Sequence, residues 1–537
     1  MTSTPPPATQ GGLFKRSLAR YGLKKPPEDV IAQANDPTRS LKKTLGALDL
    51  TVLGVGAIIG AGIFVLAGVG ATLAGPYIVF SFMVAGFVCA LAGLSYAELA
   101  STIPTSGSAY AYAYSSVGEV PAWTLGWALV LEYAVGSAAV AIGWSGNFTA
   151  LLRSTMGFEL PVWLANSLTS PVDGGFINLP AMLIVFAITA LLVVGSKESA
   201  RLTGVFVAIK LAILLVVIGM GMFFIKGANL SLDPPAVPDG SWFAILGGAG
   251  PIVGAAAIIF FAYIGFDAVS TTAEETKNPK RDLPIGILGS LFITTTLYIL
   301  ASTVLVGMVP YTDFLEGPGV TAEQAAERIV EPFGYAFEAA GFSFVANMIR
   351  AGAIVGITSV LMVLLMGGPR VFFALARDGL LPESWSTVHP KFGTPYKTTI
   401  GTGLSVGVFA GFGTLGAASA LTNIGTLFAF TMVCLSVVIL RYTKPELERP
   451  FRVPLTIGRF PLPAALGVVL CIGLMASLSR STIIEFFGWM GLGLILFSVY
   501  GIRKSKLFGH IGRDDSPDKA RSLDTEAAAA DAQSLDS

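Results

Sequence analysis

Between residues 49 and 502 the chain is a succession of apolar runs, most of them long enough to cross a hydrocarbon core of about 30 Å as a helix rising about 1.5 Å per residue. Twelve can be drawn: 49–72, 76–101, 120–152, 178–195, 203–225, 242–271, 284–309, 343–367, 398–416, 420–441, 462–479 and 484–502. Backbone in lipid must satisfy its own hydrogen bonds, so the pattern predicts an all-α integral membrane protein of about 12 transmembrane helices. Strand alternation over segments of about ten residues is absent, which argues against an outer-membrane barrel. With 53% hydrophobic and 13% charged residues and a mean hydropathy of +0.72, no large soluble domain is accommodated.

Lys and Arg set the expected orientation, because cytoplasmic loops retain them. With the N-terminus inside, 28 basic residues fall on cytoplasmic segments, five on external ones and one inside a span. Both termini are therefore expected in the cytoplasm of a multi-pass protein of the plasma (inner) membrane. Residues 1–45 read as a polar cytoplasmic tail without a cleavable signal peptide, 46–506 as the transmembrane domain and 507–537 as a disordered cytoplasmic tail. The acidic stretch Tyr311 to Glu338 reads as an external solvated helix over a loop. Net charge is zero and no basic patch lies outside the membrane-flanking loops, so nucleic acid is not expected as a partner.

Glycines interrupt the first run at Gly54, Gly56, Gly60 and Gly62. Gly60 lies ten residues past Leu50, roughly 15 Å deep and near the bilayer midplane. Two readings stand there. Gly56 and Gly60 form a GxxxG pair suited to close helix packing. A helix restarting near Gly62 would instead present unpaired amides and a positive dipole end to an anion. The sixth run carries a second interruption, Tyr263-Ile-Gly265-Phe-Asp267, nine residues before Glu274 and again near the midplane. Spans one and six are five apart, and a five-span repeat places its second copy upside down. An inverted five-plus-five architecture follows, with repeat one at about 46–226, repeat two at about 240–442 and two further helices at about 460–502.

Three ionisable residues share that depth. Lys210, nine residues past Arg201, is the basic residue placed inside a span, at an insertion cost of about 2.5 to 3.5 kcal/mol. Burial disfavours a charged lysine, which suits it to proton exchange; the alternative is a snorkelling or structurally paired lysine. Glu132, nine residues past Trp123, pairs with a charge, lines the site or is a protonated core acid. Asp267 either receives protons or caps the broken helix. Cys89, Cys434 and Cys471 all lie inside spans and read as apolar packing, with no metal set and no cofactor expected. Gly403-Leu-Ser405-Val-Gly407 fits a nucleophile elbow by pattern but sits in an apolar helix, and the only histidines, His389 and His510, lie in a loop and a tail. Enzyme chemistry is not expected.

Several segments together resemble the amino acid–polyamine–organocation (APC) superfamily: Gly56-Ala-Ile-Ile-Gly-Ala-Gly-Ile-Phe64, Ile103-Pro-Thr-Ser-Gly-Ser-Ala-Tyr110 and Gly126-Trp-Ala-Leu-Val-Leu-Glu-Tyr133. Tyr263-Ile-Gly-Phe-Asp267, Asn278-Pro279 and Ala376-Arg-Asp-Gly-Leu-Leu-Pro382 are similar to its cationic amino acid transporter branch. The resemblance implies a LeuT-like core of ten helices plus two, and an amino acid substrate. It places the substrate carboxylate on the amides of Gly60, Ala61 and Gly62, and the ammonium on carbonyls near Ile58, Phe261 and Ile264. Phe261 would gate the site, and Lys210 would occupy the position where sodium-coupled relatives bind their cation. Leu364, where basic-substrate members carry a small residue, would shorten the pocket in favour of small neutral or apolar amino acids. The expected function is proton-coupled amino acid uptake by alternating access. An amino acid or polyamine exchanger on the same fold and a non-transporting amino acid sensor are the rivals.

Overall fold

The computed structural model describes residues 43–105, 108–170, 172–194, 199–231, 250–317, 319–392 and 394–505. Of the expected tails only Lys43, Thr44 and Leu45 are among them. The first half of the chain forms α1 (Ala47–Ile58), α2 (Ala61–Phe64), α3 (Leu66–Ala74), α4 (Ile78–Thr102), α5 (Ser108–Ser116), α6 (Glu119–Met156), α7 (Leu179–Val194) and α8 (Ser199–Gly221). The second half forms α9 (Gly250–Ile259), α10 (Pro279–Met308), α11 (Ala322–Val330), α12 (Pro332–Ala339), α13 (Ser343–Arg377), α14 (Tyr396–Phe412), α15 (Leu415–Thr443), α16 (Leu462–Ala476) and α17 (Arg480–Leu496).

Among the described residues nine helical segments are long and apolar enough to cross a membrane, which makes this a multi-pass membrane protein. Each of the 12 apolar runs contains helix, but α7, α14 and α16, at 16, 17 and 15 residues, are not among the nine. The boundary expected at 416–420 falls earlier, at Gly413 and Thr414, because the Thr414 hydroxyl accepts from the Ala417 amide and starts α15 there. Helix α13 runs past Pro369 to Arg377 and α10 begins at Pro279, so both outlast their apolar runs. Helix α6 packs along α13 and α15, and α10 lies along α1 and α4.

Both expected interruptions are breaks. After α1, Ile59 is extended and Gly60 takes φ −170° and ψ −139°, and helix resumes at Ala61. After α9, one 3-10 turn over Phe260–Tyr263 leads to extended Ile264 and to Gly265 at φ +120°, and a 3-10 segment continues over Phe266–Glu275. The breaks touch each other: a Cβ on Gly62 would stand 2.2 Å from the Ala262 Cα, and one on Gly265 would stand 2.8 Å from the Ala57 carbonyl. Close packing is also present, since a Cβ on Gly56 would strike Val207 of α8 and one on Gly60 would strike Val360 of α13. The two readings of the glycine run are thus not exclusive.

A helix that stops in lipid orphans its last carbonyls. Side chains from neighbouring helices serve them here. The Tyr298 hydroxyl of α10 lies 3.0 Å from both the Ile58 and the Ala262 oxygen, so one donor bridges the two breaks. The Asn423 amide of α15 donates to the Ala257 and Ile258 oxygens at 2.9 and 2.7 Å. Tyr298 is held in place by its ring packing on Phe82 and Tyr263.

Two substitutions test this geometry by thermal unfolding of purified protein. Tyr298→Phe keeps the ring contacts but strips two buried carbonyls of their donor, and is expected to cost about 1 to 3 kcal/mol and lower the Tm. Gly265→Ala combines a positive φ with a backbone clash and is expected to cost at least about 1 to 3 kcal/mol. Gly254→Ala, with no atom within 4 Å of the new Cβ, is the neutral control.

Candidate functional site

Between the two breaks, α6, α13 and α15 complete a cavity. The α1–α2 break contributes Ala57, Ile58, Ala61 and Gly62, and the second break contributes Phe261, Ile264, Gly265, Asp267 and Ala268. Helix α6 adds Glu132 and Tyr133, α13 adds Val360, Val363 and Leu364, and α15 adds Thr422. Eight of the ten residues singled out in the sequence therefore share one wall. Gly60 is not in it, its Cα face being turned to Val360, and Lys210 stands behind the break.

At the α1–α2 break the amides of Gly60, Ala61 and Gly62 have no backbone acceptor among the described residues, whereas Phe64 and Val65 already bond back to Gly60 and Ala61. Unpaired buried amides are uncommon and select an anionic or carbonyl partner. Opposite them, the Ile58 oxygen accepts from Tyr298 and the Phe261 oxygen accepts from the Ile264 amide at 3.2 Å. Each carbonyl keeps a second lone pair for a cation.

The two cavity acids differ. One Asp267 oxygen accepts from the Gly265 amide at 3.2 Å, so Asp267 caps the break. Glu132 is 1% exposed, and among the described residues no hydrogen bond of ordinary geometry reaches either of its carboxyl oxygens. A polar group buried without partners is costly, which sets this carboxyl apart from that of Asp267.

Lys210 is fully buried and reaches the break from outside the cavity. Its ammonium donates to the Gly56 oxygen and, at 3.0 Å, to the Ser359 hydroxyl of α13. It thereby joins α8 to α1 and α13, and no carboxylate pairs with it among the described residues. The expectation that Lys210 is alone among basic residues inside a span does not hold. Arg350 lies in α13, within the expected run 343–367, and is 2% exposed. Sequence reading placed it with the external residues because it sits near the end of its run. Its partner Glu331 is 3% exposed, so the acidic Tyr311 to Glu338 stretch is not simply solvated.

Tyr298 and Asn423 were not singled out from the sequence, and an isolated Tyr or Asn in an apolar run carries no signal of the carbonyl it serves. Tyr133 and Thr422 also escaped notice, although Tyr133 adjoins Glu132. Far from the cavity, Glu98 receives Arg441 at 2.5 and 3.0 Å and the Val453 amide at 2.8 Å, a saturated buried cluster with no capacity left for a ligand. Cys89, Cys434 and Cys471 are free and buried.

Comparison with known proteins fits this geometry. A profile described as amino acid permease matches residues 45–502. The chain is 42% identical over 486 residues to the branched-chain amino acid permease BcaP of Bacillus subtilis, covering 90% of this chain and 98% of that protein. Identity and coverage are the same for the methylthioribose transporter of Bacillus subtilis. Human cationic amino acid transporter 4 is 35% identical over 437 residues, covering 80% of this chain and 64% of that protein. These relatives are permeases and transporters, not enzymes, and the chain belongs to the amino acid permease family of the APC superfamily.

Proposed function

We propose that this permease is a proton-coupled amino acid importer working by alternating access. The observation that carries the reading is the pair of breaks facing each other across one cavity, with unpaired amides at Gly60, Ala61 and Gly62 and bonded carbonyls at Ile58 and Phe261. A zwitterion matches that arrangement: its carboxylate takes the amides, and its ammonium takes the free lone pairs of the Ile58, Phe261 and Ile264 carbonyls. Phe261 covers the bound molecule as a gate.

The architecture in this reading has 12 membrane helices with α7, α14 and α16 among them, in a LeuT-like five-plus-five inverted repeat followed by α16 and α17. The contact of Gly62 with Ala262 and of Gly265 with Ala57 supports it, because segments related by inversion meet head to tail at their centre. Both termini are cytoplasmic in a plasma membrane. The repeat ranges, about 46–226 and about 240–442, remain as drawn from the sequence, and tails flank the membrane domain.

Lys210 carries the proton. Its ammonium bonds only uncharged groups, Gly56 and Ser359, so losing a proton there breaks no ion pair and changes how α8 and α13 hold α1. One net charge moved inward gains about 2.3 kcal/mol per 100 mV. Leu364 adds apolar bulk to the cavity wall, which favours small neutral or apolar amino acids. The unpartnered Glu132 carboxyl favours a second reading, in which a basic side chain is its guest, as in relatives named cationic amino acid transporters.

Uptake into empty proteoliposomes under an imposed proton gradient tests the reading. Uphill accumulation of an amino acid is expected; flux only after counter-substrate is preloaded would mean exchange, and saturable binding without flux would mean a sensor. Lys210→Ala is expected to express normally and lose the pH dependence of uptake. In a competition screen with the common amino acids and methylthioribose, small apolar amino acids are expected to compete best. Lysine and arginine competing best, with Glu132→Gln abolishing that advantage, would establish the second reading.

A further inference from the structure

The chain between α10 and α13 lies over the second half of the broken first helix. Helix α11 presses on α3, where a Cβ on Gly68 would stand 2.2 Å from the Ile329 oxygen. It presses on α6 as well: a Cβ on Gly146 would stand 2.5 Å from a Val330 methyl, and the Asn147 amide donates to the Val330 oxygen at 3.0 Å. Glu331, at the joint between α11 and α12, is fastened to α13 by two hydrogen bonds of 2.9 Å from Arg350. Gly334 leaves the room, since a Cβ there would stand 2.1 Å from a Glu331 oxygen.

The fastening is unbalanced in charge. Arg350 donates to the Glu338 carboxylate as well as to Glu331, and its remaining bond goes to the neutral Asn347 amide oxygen. Two carboxylates on one guanidinium leave one net negative charge beside a Glu331 side chain only 4% exposed, with Glu338 half-exposed. Of the other charges around it, Glu327 pairs with Arg153 of α6, while Arg328 lies over the Tyr335 ring and donates to the Asp313 backbone carbonyl rather than to Glu331 or Glu338. Tyr335 donates to the Asp313 carboxylate at 3.0 Å. None of these removes the surplus.

We propose that closing this strap takes up one proton on the Glu331–Glu338–Arg350 cluster, so that closure of the external side is itself a protonation step. The proposal rests on the transporter reading for the words closure and external. Burial pushes the Glu331 carboxyl up to about 7, against the pull of Arg350 and with the help of Glu338 and Glu327. Once the strap lifts, the carboxyl returns to water and to its ordinary value of 4.5. The closed strap therefore gains its full proton-linked stability below that value and loses it as pH rises through about 7. An external proton and a bound substrate then favour the same movement.

The test is labelling of V330C with a membrane-impermeant maleimide, without substrate, in cells and in proteoliposomes. The three native cysteines are buried and leave a low background. At each pH the rate is divided by that of V330C/E331Q, whose neutral side chain keeps the strap closed, which cancels the pH dependence of the thiol. The ratio is expected to rise roughly tenfold between about pH 5.5 and about pH 8. A flat ratio overturns the proposal. E338Q, at a half-exposed position, removes the surplus charge and is expected to shift the midpoint of V330C labelling to lower pH; an unmoved midpoint overturns it even where E331Q fails to fold. Amino acid uptake is measured separately. Loss of uptake with the labelling shift intact counts against the transporter reading, while normal uptake with a flat ratio counts against the clasp alone.

Discussion

Everything at the centre of this protein follows from one constraint: backbone that leaves helical geometry inside a membrane must find hydrogen-bond partners without water. Two breaks in facing helices release several carbonyls and amides at one depth. The carbonyls are taken by Tyr298, Asn423 and Lys210, side chains borrowed from α10, α15 and α8. The amides of Gly60, Ala61 and Gly62 are left. That asymmetry, with acceptors bonded and donors open, is what supports the proposed carboxylate end of the cavity before any side chain is considered.

The same constraint explains what could be read in the sequence. Apolar runs separated by charge are a direct image of the bilayer, and the breaks announced themselves because only glycine tolerates φ +120° at Gly265 and the approach of Ala262 at Gly62. Ionisable residues at midplane depth stand out equally, which is why Glu132, Asp267 and Lys210 could be picked before their surroundings were seen. The partners of the carbonyls could not. A Tyr 36 residues beyond Ala262, or an Asn 166 residues beyond Ala257, becomes meaningful only when the fold brings it to a break. Arg350 was hidden for the opposite reason: near the end of a run, hydropathy cannot tell a residue facing water from one held beneath a strap.

Substrate identity is the least legible property, and the reason is physical. In the proposed reading backbone groups recognise the part common to all amino acids, so the conspicuous glycines say nothing about the side chain. Selectivity is then left to the rest of the wall, where Glu132, Leu364 and Thr422 set an unpartnered carboxyl beside apolar bulk. Relatives named for branched-chain amino acids and for methylthioribose match this chain at the same 42% identity, so overall identity does not single out a cargo.

Buried charge divides the molecule into parts that hold still and parts that change. At Glu98, Arg441 and the Val453 amide satisfy the carboxylate from two sides, and Arg449 approaches to 3.5 Å, which gives a cluster with nothing to gain from a proton or ligand. Among the described residues Lys210 bonds neutral oxygens alone, Glu132 has no hydrogen-bond partner, and Glu331 shares its guanidinium with a second carboxylate. Lys210 lies at the first break, Glu132 in the cavity wall and Glu331 at the joint between α11 and α12, and in the proposed transport reading these are the surfaces that alternating access opens or rearranges. Stability would favour pairing all of them, since an unbalanced buried charge costs more than a paired one. Under the proposed proton-coupled reading, their imbalance is the means by which protons and substrate acquire different affinities for different states, which is the only way a ligand can shift a conformational equilibrium.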